Sequence, residues 1–372
     1  MSLKNRWQEF KVGLTPRIKE WRFMLKRMRG SSLAMAGLII ILGYVAMAIL
    51  APVIAPPQSS DPFAIPLDKE IRVLQNEQPT PPTFRHIFGT TQYQFDLFYG
   101  CIWGSITAFR IGVFVVAISL LVGLLVGTAS AYYGGILDET LMRFTDIIIA
   151  FPGLILAMAL VLAWQQPTLE ISISLSLVMI SVMVSFVLIF VHPDRRLLAM
   201  NQLVLLLGLA SSFFFPISIS IPLNNLDKVL VAITIVGWPG YARVIRGEVL
   251  RIKNEDYVEA SRASGSSDIR TIMHHILPNS IYPLLIVATL DIGSIVLSAA
   301  ALSFIGIGAP EYYADWGQLI SRSRFLISDP TLMVRNIHTF LIPGLFISTF
   351  VVGWNLLGDA LRDVLDPMLR RR

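Results

Sequence analysis

Among the side chains of the types that chemistry uses, five stand out in this 372-residue sequence by their placement: Glu259, His274, His275, Asp291 and the single cysteine, Cys101. Their spacing assembles no reaction centre. Adjacent histidines on one helix diverge by about 100° around its axis and cannot both face one metal, and no H-E-x-x-H pair is present. No G-x-x-x-x-G-K-[ST] phosphate loop occurs, so the chain is not expected to hold ATP itself. One cysteine excludes an internal disulfide and any cysteine-rich metal site, and Cys101 reads as a packed small residue. No Ser/His or Asp/Asp constellation at helical spacing supports an intramembrane hydrolase.

Glu259 belongs instead to a polar island, Glu255 to Asn279, set between two long apolar runs. The island has the composition of a docking surface. Asn254 to Ser264 favours helix, Gly265 can take the left-handed conformation that closes it, and Ser266, Ser267 or Asp268 can cap a second helix. That second helix runs into Pro278, whose missing N–H is tolerated where a new membrane helix begins. The small residues Ala260, Ser261, Ala263 and Ser264 would let a partner approach the backbone closely. The plain alternative is an ordinary helical hairpin joining two spans.

The elements that must position this island are membrane helices. With 54% hydrophobic and 15% charged residues the chain cannot be packed into one soluble core. Apolar runs suited to crossing a bilayer lie near Leu33–Ile54, Ile111–Tyr133, Asp146–Trp164, Leu169–Val191, Leu197–Ile221, Val229–Val244, Ile281–Ile307 and Thr339–Leu357. The Val229 run is the shortest, so its helix is expected to begin a few residues earlier. The Lys- and Arg-rich segment before the first run carries no small-residue cleavage site, which predicts an uncleaved anchor and a cytoplasmic N-terminus. Lys26, Arg27 and Arg29 would bind anionic headgroups, with a solvated tail as the alternative.

Charge orients the spans. With eight spans from an inner N-terminus, the inner segments 1–32, 134–145, 192–196, 245–280 and 358–372 hold 21 Lys plus Arg against 7 in the outer segments. This obeys the positive-inside rule and puts the island and both termini in the cytoplasm. The positives flank spans and are not interleaved with stacking aromatics, so no nucleic-acid partner is expected.

Several segments resemble one known family. Glu259-Ala260-Ser261, Gly265 and Ile276-Leu277-Pro278 are similar to the Glu-Ala-Ala, Gly and hydrophobic-Leu-Pro pattern (the EAA motif) in the cytoplasmic loop of ABC importer permeases. Serine replaces the second alanine. The longer match, EASRASG followed by HHILPN, is most similar to the dipeptide/oligopeptide branch. Tyr132-Tyr133-Gly134-Gly135 with Leu137-Asp138-Glu139, Met142-Arg143, Asp146 and Phe151-Pro152-Gly153 resembles the family's second inner loop. Trp238-Pro239-Gly240 and Leu302-Ser303-Phe304-Ile305-Gly306 resemble segments on either side of the coupling loop. The outer entry departs from the pattern: Gly89-Thr90 is kept, Thr91 stands where Asp is usual, and Gln94-Phe95-Asp96 replaces Gly-Arg-Asp.

The resemblance implies an all-α polytopic membrane fold with a six-span permease core, here with two additional inserted spans. The implied division is a basic segment 1–32, a first span 33–54, a Pro-rich external loop 55–103, core spans in 104–168, the insertion 169–221, the remaining core 222–357 with the coupling loop 254–279, and a basic tail 358–372. An even-numbered insertion preserves the orientation of all that follows. The Pro-rich loop reads either as a connector or as part of a receptor-facing surface.

The function implied is that of a non-catalytic permease subunit in the cell membrane, of the second permease type. Its implied partners are another permease as heterodimer, two ATPase subunits that use ATP and Mg, an external solute-binding protein, and membrane lipids. The cargo would be peptides or similar oligomers, with oligosaccharides open. Asp291, near the middle of its span, costs roughly 2.5–3.5 kcal/mol to insert and should face the bundle interior. It either lines the translocation path or makes a static helix contact. A second reading makes the chain an ion-coupled secondary transporter with Asp291 as the coupling carboxylate.

Overall fold

The computed structural model describes residues 30–67, 78–164, 168–172 and 218–365. Apart from one short strand pair, the regular elements among them are helices. In chain order these are α1 (Ser32–Ile54), α2 (Leu97–Tyr133), α3 (Gly135–Ile149), α4 (Gly153–Ala163), β1 (Thr168–Ser172), β2 (Ser218–Pro222), α5 (Asn225–Ile252) and α6 (Asp256–Ala263). There follow α7 (Asp268–Thr271), a π-turn (Ile272–Ile276), α8 (Leu277–Ile305), α9 (Trp316–Ser321), α10 (Arg324–Ser328), α11 (Pro330–Arg335) and α12 (His338–Leu365). Five helical stretches are long and apolar enough to cross a membrane, namely α1, α2, α5, Asp268–Ile305 and α12, and the pair α3–α4 makes a sixth if taken as one bent span.

Two expectations need correction. The run Asp146–Trp164 is not one straight helix: α3 and α4 meet at 86°. Pro152 sits at the N-cap of α4 with φ −58° and ψ 119°, and its ring and missing N–H prevent α3 from continuing through it. The inserted runs do not begin and end as helix either. Thr168–Ser172 pairs antiparallel with Ser218–Pro222, Thr168 opposite Pro222 and Ser172 opposite Ser218. Both segments alternate polar and apolar residues, the two-residue period of a strand, which a count of apolar residues does not register. The remainder of the insertion, with Arg195 and Arg196, lies outside the described residues, as do Lys26, Arg27 and Arg29.

Other helix limits follow from capping chemistry. α5 begins at Asn225, ahead of the Val229 run, because Asn224 and Asp227 form a reciprocal capping box. Its internal Pro239 leaves it continuous. α2 extends fourteen residues before Ile111, so at 1.5 Å per residue its 37 residues reach about 55 Å, well beyond a hydrocarbon core.

Two compact units divide the chain: Met1–Gly112 with Leu285–Leu297 and Tyr312–Arg372, and Val113–Leu284 with Ser298–Glu311. In the first, α1 lies along α12, with Gly37 against Leu356 and Gly353 against Ile40. Tyr44 of α1 donates to the Phe346 carbonyl at 2.8 Å and stands edge-on to Phe350 and Trp316. The described residues of the Pro-rich segment pack against this unit and are more than a linker. Trp103 donates to the Ala55 carbonyl at 2.9 Å, Tyr99 to that of Pro62 at 2.6 Å, and Phe63 stacks on Tyr313. Buried Cys101 offers its carbonyl to the Trp316 indole at 3.0 Å.

In the second unit α2 and α5 cross at Gly123 and Gly127, where an added Cβ would collide with Tyr241, Ala242 and Ile245. This Gly-x-x-x-Gly spacing lets two backbones approach in an apolar medium. α4 runs antiparallel to α5, Gly153 lying beside Val236 and Ala157 facing the same cleft as Ile233. The last turn of α4 and the first turn of α5 therefore share one end of that pair, and the β1–β2 ladder joins them there.

Candidate functional site: the α6–α7 hairpin and its seat

The hairpin forms where the sequence places it, over a shorter first helix than Asn254–Ser264. α6 is closed by Gly265 at φ +78°, with the Gly265 N–H on the Arg262 carbonyl and the Ser266 N–H on that of Ser261. This is the Schellman closure, in which a residue with a Cβ would be strained. Ser267 occupies the N-cap of α7 but makes no side-chain capping bond. After one turn of α7 the chain passes through the π-turn Ile272–Ile276 into α8, with Pro278 in its first turn.

Exposure separates the predicted docking residues. Glu259, Ala260, Gly265 and Pro278 are exposed, Ser261 and Leu277 are half-buried, and Ile276 is fully buried. Val258 is also fully buried, so α6 is pinned by Val258 on one side and shows Glu259 and Ala260 on the other. Ile276 thus anchors the hairpin and is not part of its face. Two apolar side chains that the motif does not single out, Ile269 at 73% and Met273 at 56% exposure, stand one turn apart on the second arm.

The seat of the hairpin is a cluster that no motif spacing reveals. Chain from Ser130 to Asp138 turns between α2 and α3 through Gly134 and Gly135, both at positive φ. Arg246 of α5 donates to both carboxylate oxygens of Asp138 at 2.6 Å, Nε to one and Nη2 to the other, and Ser130 donates to the same carboxylate. Lys253 donates to the Ala131 carbonyl at 2.6 Å. Tyr132 donates to Asp268 at 2.7 Å, while the Arg262 guanidinium lies 4.9 Å from the centre of the Tyr132 ring. Further along α3, Asp146 pairs with Arg243 and Phe144 stacks on Trp238. Tyr132, Asp138 and Asp146 are legible as motif members, but their partners are not.

Asp291 lies at the midpoint of the 29-residue α8, half-buried. Its neighbours Ile292 and Gly293 pack on Gly112 and Val351, all within the first unit. In that unit the altered entry motif also finds its geometry. Gln94 is the one non-glycine residue at positive φ among those described, +62°, at the position where the family pattern has glycine. Its buried amide accepts from Thr80 and Thr90, both at 2.7 Å, and donates to the Gln78 carbonyl. Asp96 pairs with His86 at 2.7 Å on the wall of a cavity of about 520 Å³ that Arg85 and Tyr99 also line. Phe95, in place of arginine, carries the guanidinium of Arg322 at 4.0 Å from its ring centre.

Helices long and apolar enough to cross a membrane, with an anchored polar hairpin between two of them, define a polytopic membrane protein. Residues 119–371 match the family of binding-protein-dependent transport system inner membrane components, and residues 19–76 match the N-terminal transmembrane domain of oligopeptide transport permease C. The chain belongs to this family of binding-protein-dependent permeases. It is 31% identical to the dipeptide transport system permease DppC of Alkalihalophilus pseudofirmus, over 95% of this chain and 91% of that one. It is 30% identical to the oligopeptide transport system permease OppC of Bacillus subtilis, over 94% and 90%. It is 32% identical to the probable D,D-dipeptide transport system permease DdpC of Escherichia coli K12, over 91% and 89%. The chain is accordingly a multi-pass, non-catalytic permease subunit of a multi-subunit ABC importer in the cell membrane. Family membership displaces the ion-coupled reading of Asp291.

Proposed function

We propose that the importer carries peptides. The support is the relatives named for dipeptides and oligopeptides, which align with nearly the whole chain. Oligosaccharide cargo is the remaining alternative raised by the altered entry motif. In this reading the chain is the second-type permease, paired with a different permease and fed by an external binding protein. Two ATPase subunits hold the ATP and Mg, and this chain binds no cofactor itself.

The α6–α7 hairpin is the coupling helix on which one ATPase docks. The observation that carries this is the division of its residues: Val258 and Ile276 buried as anchors, Glu259, Ala260, Gly265, Ile269 and Met273 turned outward. Exposed aliphatic side chains beside small residues suit an apolar-lined cleft in a partner. ATP shifts the assembly only if it binds the two global states unequally, and the docked hairpin is where that difference would enter this chain.

The topology carried forward is eight spans with both termini cytoplasmic. The β1–β2 ladder sets Ser172 beside Ser218, so the two strands lie on one side. The hairpin then remains on the side assigned by charge. Asp291 is proposed to face the translocation path. The test of the whole reading is co-expression with the neighbouring transport genes, followed by uptake of labelled di- and tripeptides into proteoliposomes with ATP inside. Peptide uptake that needs ATP supports it, and uptake of oligosaccharides alone overturns the cargo.

A further inference from the structure

The docked hairpin must pass its displacement to the spans, and resting on the importer reading above, we infer that Tyr132 is the positioning residue that does so. It clasps the hairpin to the end of α2. Three observations meet at this residue. Its phenol donates to Asp268 at the start of the second arm, at 2.7 Å. Its ring carries the guanidinium of Arg262, from the last turn of the first arm, 4.9 Å from the ring centre. Tyr132 itself is 8% exposed while Arg262 and Asp268 are both exposed, so a ring fixed by packing grips the hairpin at its solvent-facing edge. One ring on α2 therefore touches both arms of the hairpin, on either side of the Gly265 closure.

The other side-chain bonds of the seat lie outside that clasp. Arg246 and Lys253 tie the Ser130–Asp138 turn to α5, the helix that leads into the hairpin. These bonds join segments that precede the hairpin. Among these contacts Tyr132 alone reaches past them to residues on the two arms, and it lies in the penultimate position of the 37-residue α2. A push on α6 and α7 thus has a polar route into a helix long enough to span the bilayer. A phenol suits this position because its ring takes a cation on the face while the hydroxyl, at the far edge, takes a carboxylate.

The experiment uses the purified complex of this chain with its co-purifying permease and ATPases in nanodiscs, and needs no cargo. A bimane fluorophore on Leu125→Cys, an exposed position on α2, reports the surroundings of that helix, and native Cys101 is buried away from the label. ATP with vanadate should change bimane emission in the parent. Tyr132→Phe and Asp268→Ala should each reduce that change several-fold while ATP hydrolysis and ATPase co-purification persist. Asp268→Asn, which keeps an acceptor for the phenol, should restore most of it, and the Phe/Ala double variant should be no worse than either single. An unchanged response in Tyr132→Phe, or a silent parent, overturns the clasp. So does a loss of response that only follows loss of the ATPases from the complex. A parent that brings down no ATPase overturns the importer reading, and the clasp with it.

Discussion

Asp138 takes both hydrogen bonds of the Arg246 guanidinium at 2.6 Å, joining the turn after α2 to the last third of α5 across 108 positions of sequence. The carboxylate is the less exposed partner, 18% against 35% for the arginine, and Ser130 donates to it as well. Charge-assisted, two-pronged pairs of this kind depend on the planar fork. Arg246→Met should therefore cost about 2 kcal/mol, since it strands a partly buried carboxylate. Arg246→Lys should recover less than half of that loss, because an ammonium cannot make two parallel bonds. Thermal unfolding of the purified permease in detergent measures both, and equal stability of Lys and wild type would show the fork to be unimportant.

Gly265 closes α6 at φ +78° with open space around the missing Cβ, so its substitution tests backbone conformation and not crowding. Placing a β-carbon in the left-handed region costs roughly 1–2 kcal/mol, less for asparagine. ATPase co-purification and ATP-dependent uptake should fall in the order Gly, Asn, Ala, Val. Retention of both in Gly265→Val would mean that the hairpin docks without its closure.

Gly127 is tested in the opposite way, by crowding. Its missing Cβ faces the Ala242 carbonyl and the Ile245 side chain. Gly127→Ala should already lower thermal stability, and Gly127→Ile should lower it further, by about 1–3 kcal/mol as for an overpacked core. A stable Ile variant would show that α2 and α5 separate without penalty.

Gln94 combines a strained backbone with a buried amide. Gln94→Gly relieves the strain but removes the bonds to Thr80 and Thr90, so its net effect should be within about 1 kcal/mol of neutral. Gln94→Ala keeps the strain and loses the bonds, and should be the worse of the two by about 1–2 kcal/mol. The comparison is made by thermal unfolding. If Ala proves at least as stable as Gly, the positive φ is not the reason the position matters.

Asp291→Ala should lower ATP-dependent uptake several-fold at normal accumulation in the membrane, with Asp291→Asn intermediate. The motive is a carboxyl group at the midpoint of α8, a depth at which its insertion is costly. Unaltered uptake by the Ala variant would leave Asp291 a static helix contact.

Much of the fold is legible from sequence because it depends on quantities that are additive along a chain. Runs of apolar residues set where helices cross, and the limits of α1 and α8 lie close to the runs from which they are expected, while α12 continues eight residues past Leu357. The hairpin is legible from a glycine and its flanking small residues. Other local signals gain their meaning only beside the structure. The alternation in Thr168–Ser172 and Ser218–Pro222 has the period of strand, and Gly123 and Gly127 have the spacing of a close helix crossing. The 86° break at Pro152 is visible as a proline, but whether a proline kinks, breaks or is absorbed depends on its neighbours, as Pro239 within continuous α5 illustrates.

By itself the sequence determined a membrane permease with a polar hairpin, and the residue types on the face of that hairpin. Tertiary structure alone decided what holds the hairpin. Tyr132 meets Asp268 across 136 positions, Asp138 meets Arg246 across 108, and Ile276 turns inward while Glu259 turns out. The physical reason is that hydropathy and charge act on each segment separately, whereas a hydrogen bond between distant helices requires their register and rotation to agree to within an ångström. That agreement is set by packing at contacts such as Gly127 on Ala242, and it exists only once the helices have met.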